Sequence, residues 1–141
     1  MAKSNNAKPA PDFCPCGSGA GFQQCCAPYL AGRMVAPDAQ ALMRSRYTAY
    51  TLDDEDYLQK TWHPRSRPAL VLERREPCQW LALKVLAHHE QDANATVEFI
   101  ARYKINGRAQ RLHEVSRFER EDGQWLYVDG DFPELNQETT T

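Results

Sequence analysis

The pattern of apolar and polar positions divides the chain into a helical part and a strand part. In "PDAQALMRSRYTAY", a spacing of 100° per residue places one stripe of side chains on a helix face: Ala39, Leu42, Met43, Arg46 and Tyr50. Pro37 and Asp38 lie just before this stripe, and both residue types are favoured at the start of a helix. The acidic first turn of "DDEDYLQKTWH" predicts a second helix, and Pro64 and Pro68 end the helical region.

From Trp80 onward the pattern changes to the alternation that strands show. Four segments carry it: "WLALKVLAHH", "ATVEFIARYKI", "RAQRLHEVSRFER" and "QWLYVDG". Asn106-Gly107 and Asp122-Gly123 separate the last three segments and are typical of two-residue hairpin turns. Helices followed by antiparallel strands predict an α+β fold with the helices packed on one face of the sheet.

The two turns also predict the register of the strands. The first pairs Tyr103 with Gln110, Ala101 with Leu112 and Phe99 with Glu114; the second pairs Phe118 with Tyr127 and Ser116 with Asp129. Because side chains alternate across a strand, one face collects the apolar residues that the helices cover: Val97, Phe99, Ala101, Tyr103, Leu112, Phe118, Trp125 and Tyr127. The same face receives Glu114, Ser116 and Asp129.

Arg46 therefore shares a core with two carboxylates, which is costly unless the charges pair. One interpretation is a structural ion pair from Arg46 to Glu114 or Asp129. The other is a ligand pocket with convergent polar groups. His63 either caps the second helix or serves as an acid–base group at the pocket mouth. The candidate pocket residues are Arg46, Tyr50, Trp62, His63, Glu114, Ser116, Tyr127 and Asp129.

Composition limits the classes of function. A chain of 141 residues with 42% apolar residues can bury one modest core, so we expect one main domain and a small appendage. The formal net charge of -2 argues against nucleic-acid binding, which gains from a basic excess. No window has the length of a membrane-spanning helix, and the N-terminus lacks the apolar segment of a signal peptide. We expect a cytoplasmic protein with no membrane contact.

Four of the five cysteines fall within "FCPCGSGAGFQQCC", as Cys14, Cys16, Cys25 and Cys26. Four thiolates are a tetrahedral zinc ligand set, and the glycines between them permit the tight turns that convergence needs. A reducing compartment and the strain of bridging neighbouring cysteines argue against disulfides. A redox motif would more typically be C-x-x-C beside a βαβ unit. The spacing predicts one structural Zn²⁺.

The stretch "CPCGSG…CC" resembles the SEC-C motif, a small zinc module associated with protein contacts, and the resemblance assigns the ligand positions to the four cysteines. Together with "APYLAGRMVAPDAQALMRSRYTAYTLDDEDYLQKTWHP" and "DGQWLYVDGDF", it is similar to the YchJ-like family of bacterial proteins. That resemblance implies an NTF2-like or cystatin-like cone, in which helices pack on a curved antiparallel sheet and commonly enclose a cavity. The chain ends without further cysteines, so a second zinc is not expected.

These observations predict a disordered tail over residues 1–12, a SEC-C zinc-binding motif over 13–30, an NTF2-like domain over 31–133 and a disordered tail over 134–141. The expected function is a zinc-binding protein whose SEC-C motif contacts a protein partner. The alternative is a small-molecule binder or enzyme that uses Arg46, Glu114, Asp129 and His63 in the cavity. The sequence is compatible with a homodimer and does not decide whether the protein is an enzyme.

Overall fold

Helices precede a single sheet, as the pattern predicts. The computed structural model describes residues 10–72 and 78–133, so the predicted tails over 1–12 and 134–141 lie outside the described residues except for residues 10–12. A 3₁₀ turn over Phe22–Gln24 leads to helices α1 (Ala27–Leu30), α2 (Ala39–Thr51) and α3 (Glu55–Lys60). The strands are β1 (Cys78–Gln91), β2 (Asn94–Ile105), β3 (Arg108–Glu121) and β4 (Gln124–Asp131).

Helix α2 begins at a side-chain cap and is buried on more than one face. The Asp38 carboxylate accepts the N–H of Ala41 at 2.8 Å, which satisfies one of the amides that a helix start leaves free. The predicted stripe is buried except for Tyr50, which is half-buried. Ser45, Thr48 and Ala49 are buried as well, because the cysteine-rich segment and α3 contact that second face.

The four strands form one antiparallel sheet in the order β1-β2-β3-β4. Asn106 and Asp122 both have φ of +53°, and the glycine after each is also at positive φ, as the predicted two-residue turns require. The predicted pairs Tyr103–Gln110, Ala101–Leu112, Phe99–Glu114 and Phe118–Tyr127 are confirmed. A third tight turn, at Asp92, joins β1 to β2 and has no comparable sequence signal.

One predicted pair is wrong. Ser116 lies opposite Gly130 rather than Asp129, because an irregularity in the β3–β4 pairing adds one residue to β4 near Val128. Asp129 consequently lies opposite Arg117 on the outer face of the sheet, where its Oδ1 accepts from Arg117 Nε at 2.6 Å. Asp129 therefore does not belong to the inward-facing cluster in which the sequence predicted it.

The core joins the sheet, the helices and the cysteine-rich segment. Sheet residues such as Phe99, Phe118 and Trp125 and helix residues such as Leu42 belong to the same buried cluster as three of the cysteines. The short segment after α3 extends the sheet, since the Thr61 carbonyl accepts a hydrogen bond from Tyr127 N at 2.9 Å. Within residues 10–72 and 78–133, no helix is both long and apolar enough to cross a membrane.

Candidate functional site

The four clustered cysteines converge on one point. The Sγ atoms of Cys14, Cys16, Cys25 and Cys26 all lie within 4.8 Å of one another, and only Cys25 is partly exposed. The Cys16 and Cys25 sulfurs are 3.6 Å apart. Four zinc–sulfur bonds of about 2.3 Å in a tetrahedron imply sulfur separations of about 3.8 Å, so the spacing suits a tetrahedral metal ion.

Tight turns bring the two cysteine pairs together. The chain reverses after Cys14, where Gly17 N donates to the Cys14 carbonyl at 3.2 Å and Cys14 N donates to the Ala20 carbonyl at 3.0 Å. Gly17 has φ of +82°, a conformation that favours glycine. The 3₁₀ turn then ends at Gln24 and α1 starts after Cys26, and the bend between them lets two adjacent cysteines face the same point.

Polar groups of α2 support this cluster, and the sequence analysis missed them. Thr48 Oγ1 donates to Cys26 Sγ at 3.4 Å and lies 3.7 Å from Cys14 Sγ. Arg44 Nη1 donates to the Cys16 carbonyl at 2.8 Å. The sequence could have indicated this shared surface, because Arg44 and Thr48 are four residues apart and so lie on one face of the helix.

The thiols hold their protons unequally. Hydrogen bonds with Cys14 and Cys26 lower the pKa of Cys16, whereas hydrogen bonds with Cys14 and Cys16 raise the pKa of Cys26. Burial raises the pKa of Cys25. A divalent cation among these sulfurs would supply positive charge that favours their thiolate forms. A buried, all-thiolate donor set fits a soft metal ion.

The predicted pocket residues form a packed polar cluster around Arg46. The guanidinium donates to the Leu58 carbonyl at 3.0 Å and to Thr61 Oγ1 at 2.6 Å. Its Cζ lies 4.7 Å from the ring centroid of Tyr127 and 5.1 Å from that of Trp62, which are cation–π distances. Among the described residues, these contacts hold the guanidinium in place of the predicted carboxylate ion pair.

Glu114 is held separately in the same core. Its Oε2 accepts from Ser116 Oγ at 2.9 Å and from the Tyr127 hydroxyl at 2.8 Å. Burial raises the pKa of Glu114, since desolvation disfavours its charged form. Gly130, which lies opposite Ser116, leaves room for the Glu114 side chain: a Cβ there would lie 2.9 Å from Glu114 Cγ and closer still to the carboxyl group. Tyr50 packs beside this cluster, 5.9 Å from the Trp80 ring centroid.

His63 lies away from Arg46 and Glu114. Its Nε2 is 2.6 Å from Glu121 Oε2 and 3.7 Å from Glu119 Oε1, and both glutamates project from the face of β3 opposite to Glu114. The ring makes these contacts rather than capping helix carbonyls, and the acid–base role of His63 stays a prediction.

His63, Glu119 and Glu121 also group their ligand atoms within 4.8 Å, but these atoms already have partners. His63 Nδ1 accepts the Arg65 N–H at 3.2 Å, which leaves Nε2 as the nitrogen that donates to Glu121. Arg65 holds both oxygens of Glu119, at 2.8 Å and 2.5 Å. The group is better described as a latch between residues 63–65 and the end of β3.

An open cavity of about 670 Å³ lies near that latch rather than at the Arg46 cluster. Its lining includes Arg65, Thr96, Arg117, Glu119 and Asp129, and it does not include Arg46, Glu114, Ser116 or Tyr127. The two arginines are already paired, Arg65 with Glu119 and Arg117 with Asp129 and Asp131. Neither arginine therefore offers an uncompensated positive charge to a ligand in this cavity.

The comparisons agree with this architecture. The chain matches the family model "YchJ, middle NTF2-like domain" over residues 38–130 and the SEC-C motif over residues 12–28. A UPF0225 protein of Ralstonia nicotianae is 53% identical over 137 residues, covering 87% of this chain and 94% of the relative. A UPF0225 protein of Cupriavidus pinatubonensis is 53% identical over 138 residues, covering 93% and 96%.

Two solved structures share the fold. The solution structure of a SEC-C motif containing protein from Rhodopseudomonas palustris has a TM-score of 0.75 and 37% identity, covering 84% of this chain and 97% of that one. The crystal structure of a sec-c motif containing protein from Psychrobacter arcticus has a TM-score of 0.69 and 26% identity, covering 85% and 82%. With its four gathered cysteines and its helix-covered sheet, this chain belongs to the YchJ family of SEC-C motif proteins with a middle NTF2-like domain.

Proposed function

We propose that this chain is a zinc-binding protein whose SEC-C region holds one structural Zn²⁺ and presents a surface to a protein partner, with the NTF2-like domain as scaffold. The observation that carries the proposal is the convergence of the Cys14, Cys16, Cys25 and Cys26 sulfurs. Four protein ligands fill a tetrahedral ion, which is the arrangement of structural rather than catalytic zinc sites. The ion would serve as a cross-link between two turns that have little core of their own.

A reducing compartment such as the cytoplasm suits this proposal. No disulfide links any of the five cysteines, although the Cys16 and Cys25 sulfurs approach each other closely. Metal-bound thiolates persist where disulfides are reduced, and a dithiol pair this close would be prone to oxidation elsewhere.

The metal assignment is tested by native mass spectrometry and zinc analysis of protein expressed without added metal. We expect one zinc per chain for the wild type, and loss of zinc from Cys14→Ser and Cys26→Ser. Cys78→Ser is the matched control, since Cys78 lies outside the cluster, and it should retain the full complement. Absence of zinc from the wild type, or its retention by both cluster variants, would contradict the proposal.

Phe13 supports the proposal of a protein-binding surface next to the metal. This side chain is 74% exposed although it directly precedes the ligand Cys14. Its backbone is held by an isolated bridge to Gly21, so the aromatic ring projects from an ordered turn. Exposed aromatic side chains on rigid supports are frequent anchors of protein interfaces.

The partner surface is tested by cross-linking the intact protein in cell extract and identifying the linked proteins. We expect a partner that is captured by the wild type and lost with Phe13→Ser and with Cys14→Ser. Leu70→Ser is the control, because Leu70 is 57% exposed and lies outside the cysteine-rich segment. An identical set of captured proteins from all four baits would rule the surface out.

Ligand binding by the Arg46 and Glu114 cluster stays a prediction with less support. The contacts of these groups are internal, and the cavity described above has other lining residues. The same native mass spectra test it, because a retained small molecule would add mass to the wild type. They also report the number of chains per particle, and so test whether the protein is a homodimer.

A further inference from the structure

Binding zinc through four cysteines creates an electrostatic problem that this core must solve. Four thiolates and one Zn²⁺ carry a net charge of -2, and three of the four sulfurs belong to buried residues. Charge in an apolar environment is costly unless hydrogen-bond donors surround it. In metal sites, such donors are the groups behind the ligands, which hold the ligands in place and stabilise their charge.

The NTF2-like domain supplies one such donor from α2. Thr48 is fully buried, with 0% of its surface exposed, and its hydroxyl lies 3.4 Å from Cys26 Sγ and 3.7 Å from Cys14 Sγ. A hydroxyl has one hydrogen to donate. The favoured acceptor is the nearer sulfur, that of Cys26, and the Cys14 sulfur is the alternative acceptor.

Other contacts show that Thr48 is part of a docking face. Arg44, one turn earlier on α2, donates to the Cys16 carbonyl at 2.8 Å. On the exposed side of the cluster, Ser18 Oγ lies 3.1 Å from Cys25 Sγ, but Ser18 belongs to the cysteine-rich segment itself. Two described hydroxyl groups lie within hydrogen-bond range of the sulfurs, those of Ser18 and Thr48. Only the Thr48 hydroxyl comes from the NTF2-like domain.

We infer that Thr48 is a positioning residue for the metal centre: its hydroxyl donates to the Cys26 thiolate and so couples metal retention to the NTF2-like domain. This inference rests on the proposed zinc site. Loss of the hydroxyl removes a donor from a buried thiolate and leaves the ligand less firmly oriented. Loss of the Thr48 methyl group alone leaves that donor in place.

The test compares zinc release from full-length variants to a chromogenic chelator. Thr48→Val keeps the side-chain shape and removes the hydroxyl, and we expect it to release zinc about 10- to 100-fold faster. Thr48→Ser keeps the hydroxyl and should release zinc at close to the wild-type rate. Thr51→Val is the control, because its hydroxyl donates to the Thr48 carbonyl at 2.7 Å rather than to a sulfur.

A spectroscopic reading separates hydrogen bonding from packing. With Co²⁺ in place of zinc, the thiolate-to-metal charge-transfer band should shift in Thr48→Val and stay unchanged in Thr48→Ser and Thr51→Val. If Thr48→Val does not fold, Thr48→Ala and Thr48→Ser replace it as a pair, since both lack the methyl group and only one has the hydroxyl.

The failures of the two proposals are distinguishable. A wild type that binds no metal overturns both the zinc site and this inference. A wild type with one zinc whose release is unchanged by Thr48→Val, or equal for Thr48→Ala and Thr48→Ser, overturns the inference alone.

Discussion

At the scale of single residues, Glu114 shows how burial acts on an acid. Its carboxyl group accepts two hydrogen bonds, from Ser116 and Tyr127, which favour the charged form. Desolvation outweighs them, and the pKa of Glu114 is raised. The folded chain thus binds this proton more tightly than the unfolded chain, in which a glutamate has a pKa of about 4.3.

We predict that Glu114 makes folding less favourable as the pH rises. Its contribution is fully present below the unfolded pKa and is lost as the pH rises through the raised folded pKa. Glu114→Gln removes this titration, so its stability relative to the wild type should increase from about pH 4 towards neutrality. Urea unfolding across a pH series measures the difference.

Glu119→Gln is the control with the opposite sign. The hydrogen bond from Arg65 lowers the pKa of Glu119, so its contribution is present above the unfolded pKa and is lost as the pH falls through the folded one. Its variant should therefore lose stability relative to the wild type as the pH rises. Parallel curves for the two variants would show that the assignment of burial and pairing is wrong.

At the scale of elements, the extra residue in β4 decides what faces the core. Without it, the Asp129 side chain would point at Ser116; with it, Gly130 takes that position and leaves room for Glu114. Asp129 instead joins Asp131 and Arg117 on the outer face. The irregularity keeps a second carboxylate out of the core.

We predict that Gly130→Ala destabilises the fold by about 1–3 kcal/mol, the usual cost of overpacking a core. The new methyl group would overlap the Glu114 side chain and displace it from its two donors. In a Glu114→Ala background the same change should cost much less, because the space is free. Chemical unfolding of the two single variants and the double variant measures the coupling, and additive effects would contradict this account.

The elements also show how far sequence reasoning reaches. Asn-Gly and Asp-Gly turns fix the φ values of a hairpin locally, so the pairing of β2 with β3 and the start of β4 could be predicted. The extra residue in β4 could not, since no turn signal in the sequence specifies it and it appears only in the strand pairing of the folded sheet. The four cysteines were recognised by spacing alone, whereas Thr48 contributes through a contact 22 residues from Cys26 that only the folded chain creates.

At the scale of the whole molecule, the cysteine-rich segment and the NTF2-like domain share one core. Cys14, Cys16 and Cys26 are buried in the same cluster as Leu42 and Phe118. The segment was expected to be an appendage. Its burial instead implies that the two parts unfold together, because contacts across the boundary are lost in either case.

We predict that removing the metal with a chelator keeps a single thermal transition and lowers its midpoint by about 10 °C or more. The shift needs a loss of only about 3 kcal/mol at about 4 °C for each kcal/mol, well below the roughly 10–16 kcal/mol with which structural zinc binds. Re-added zinc should restore the midpoint, and Cys78→Ser should respond as the wild type does. Calorimetry that shows an unchanged main transition would mean that the segment folds independently.

The shared core has a consequence for the amount of this protein in a growing cell. Chains that lack the ion would spend more time open and would be available to proteases. Scarcity of the metal would then lower the steady-state abundance of this protein, and metal-free chains would not accumulate. If the proposed zinc is bound, metal supply would therefore influence the amount of this protein through its turnover.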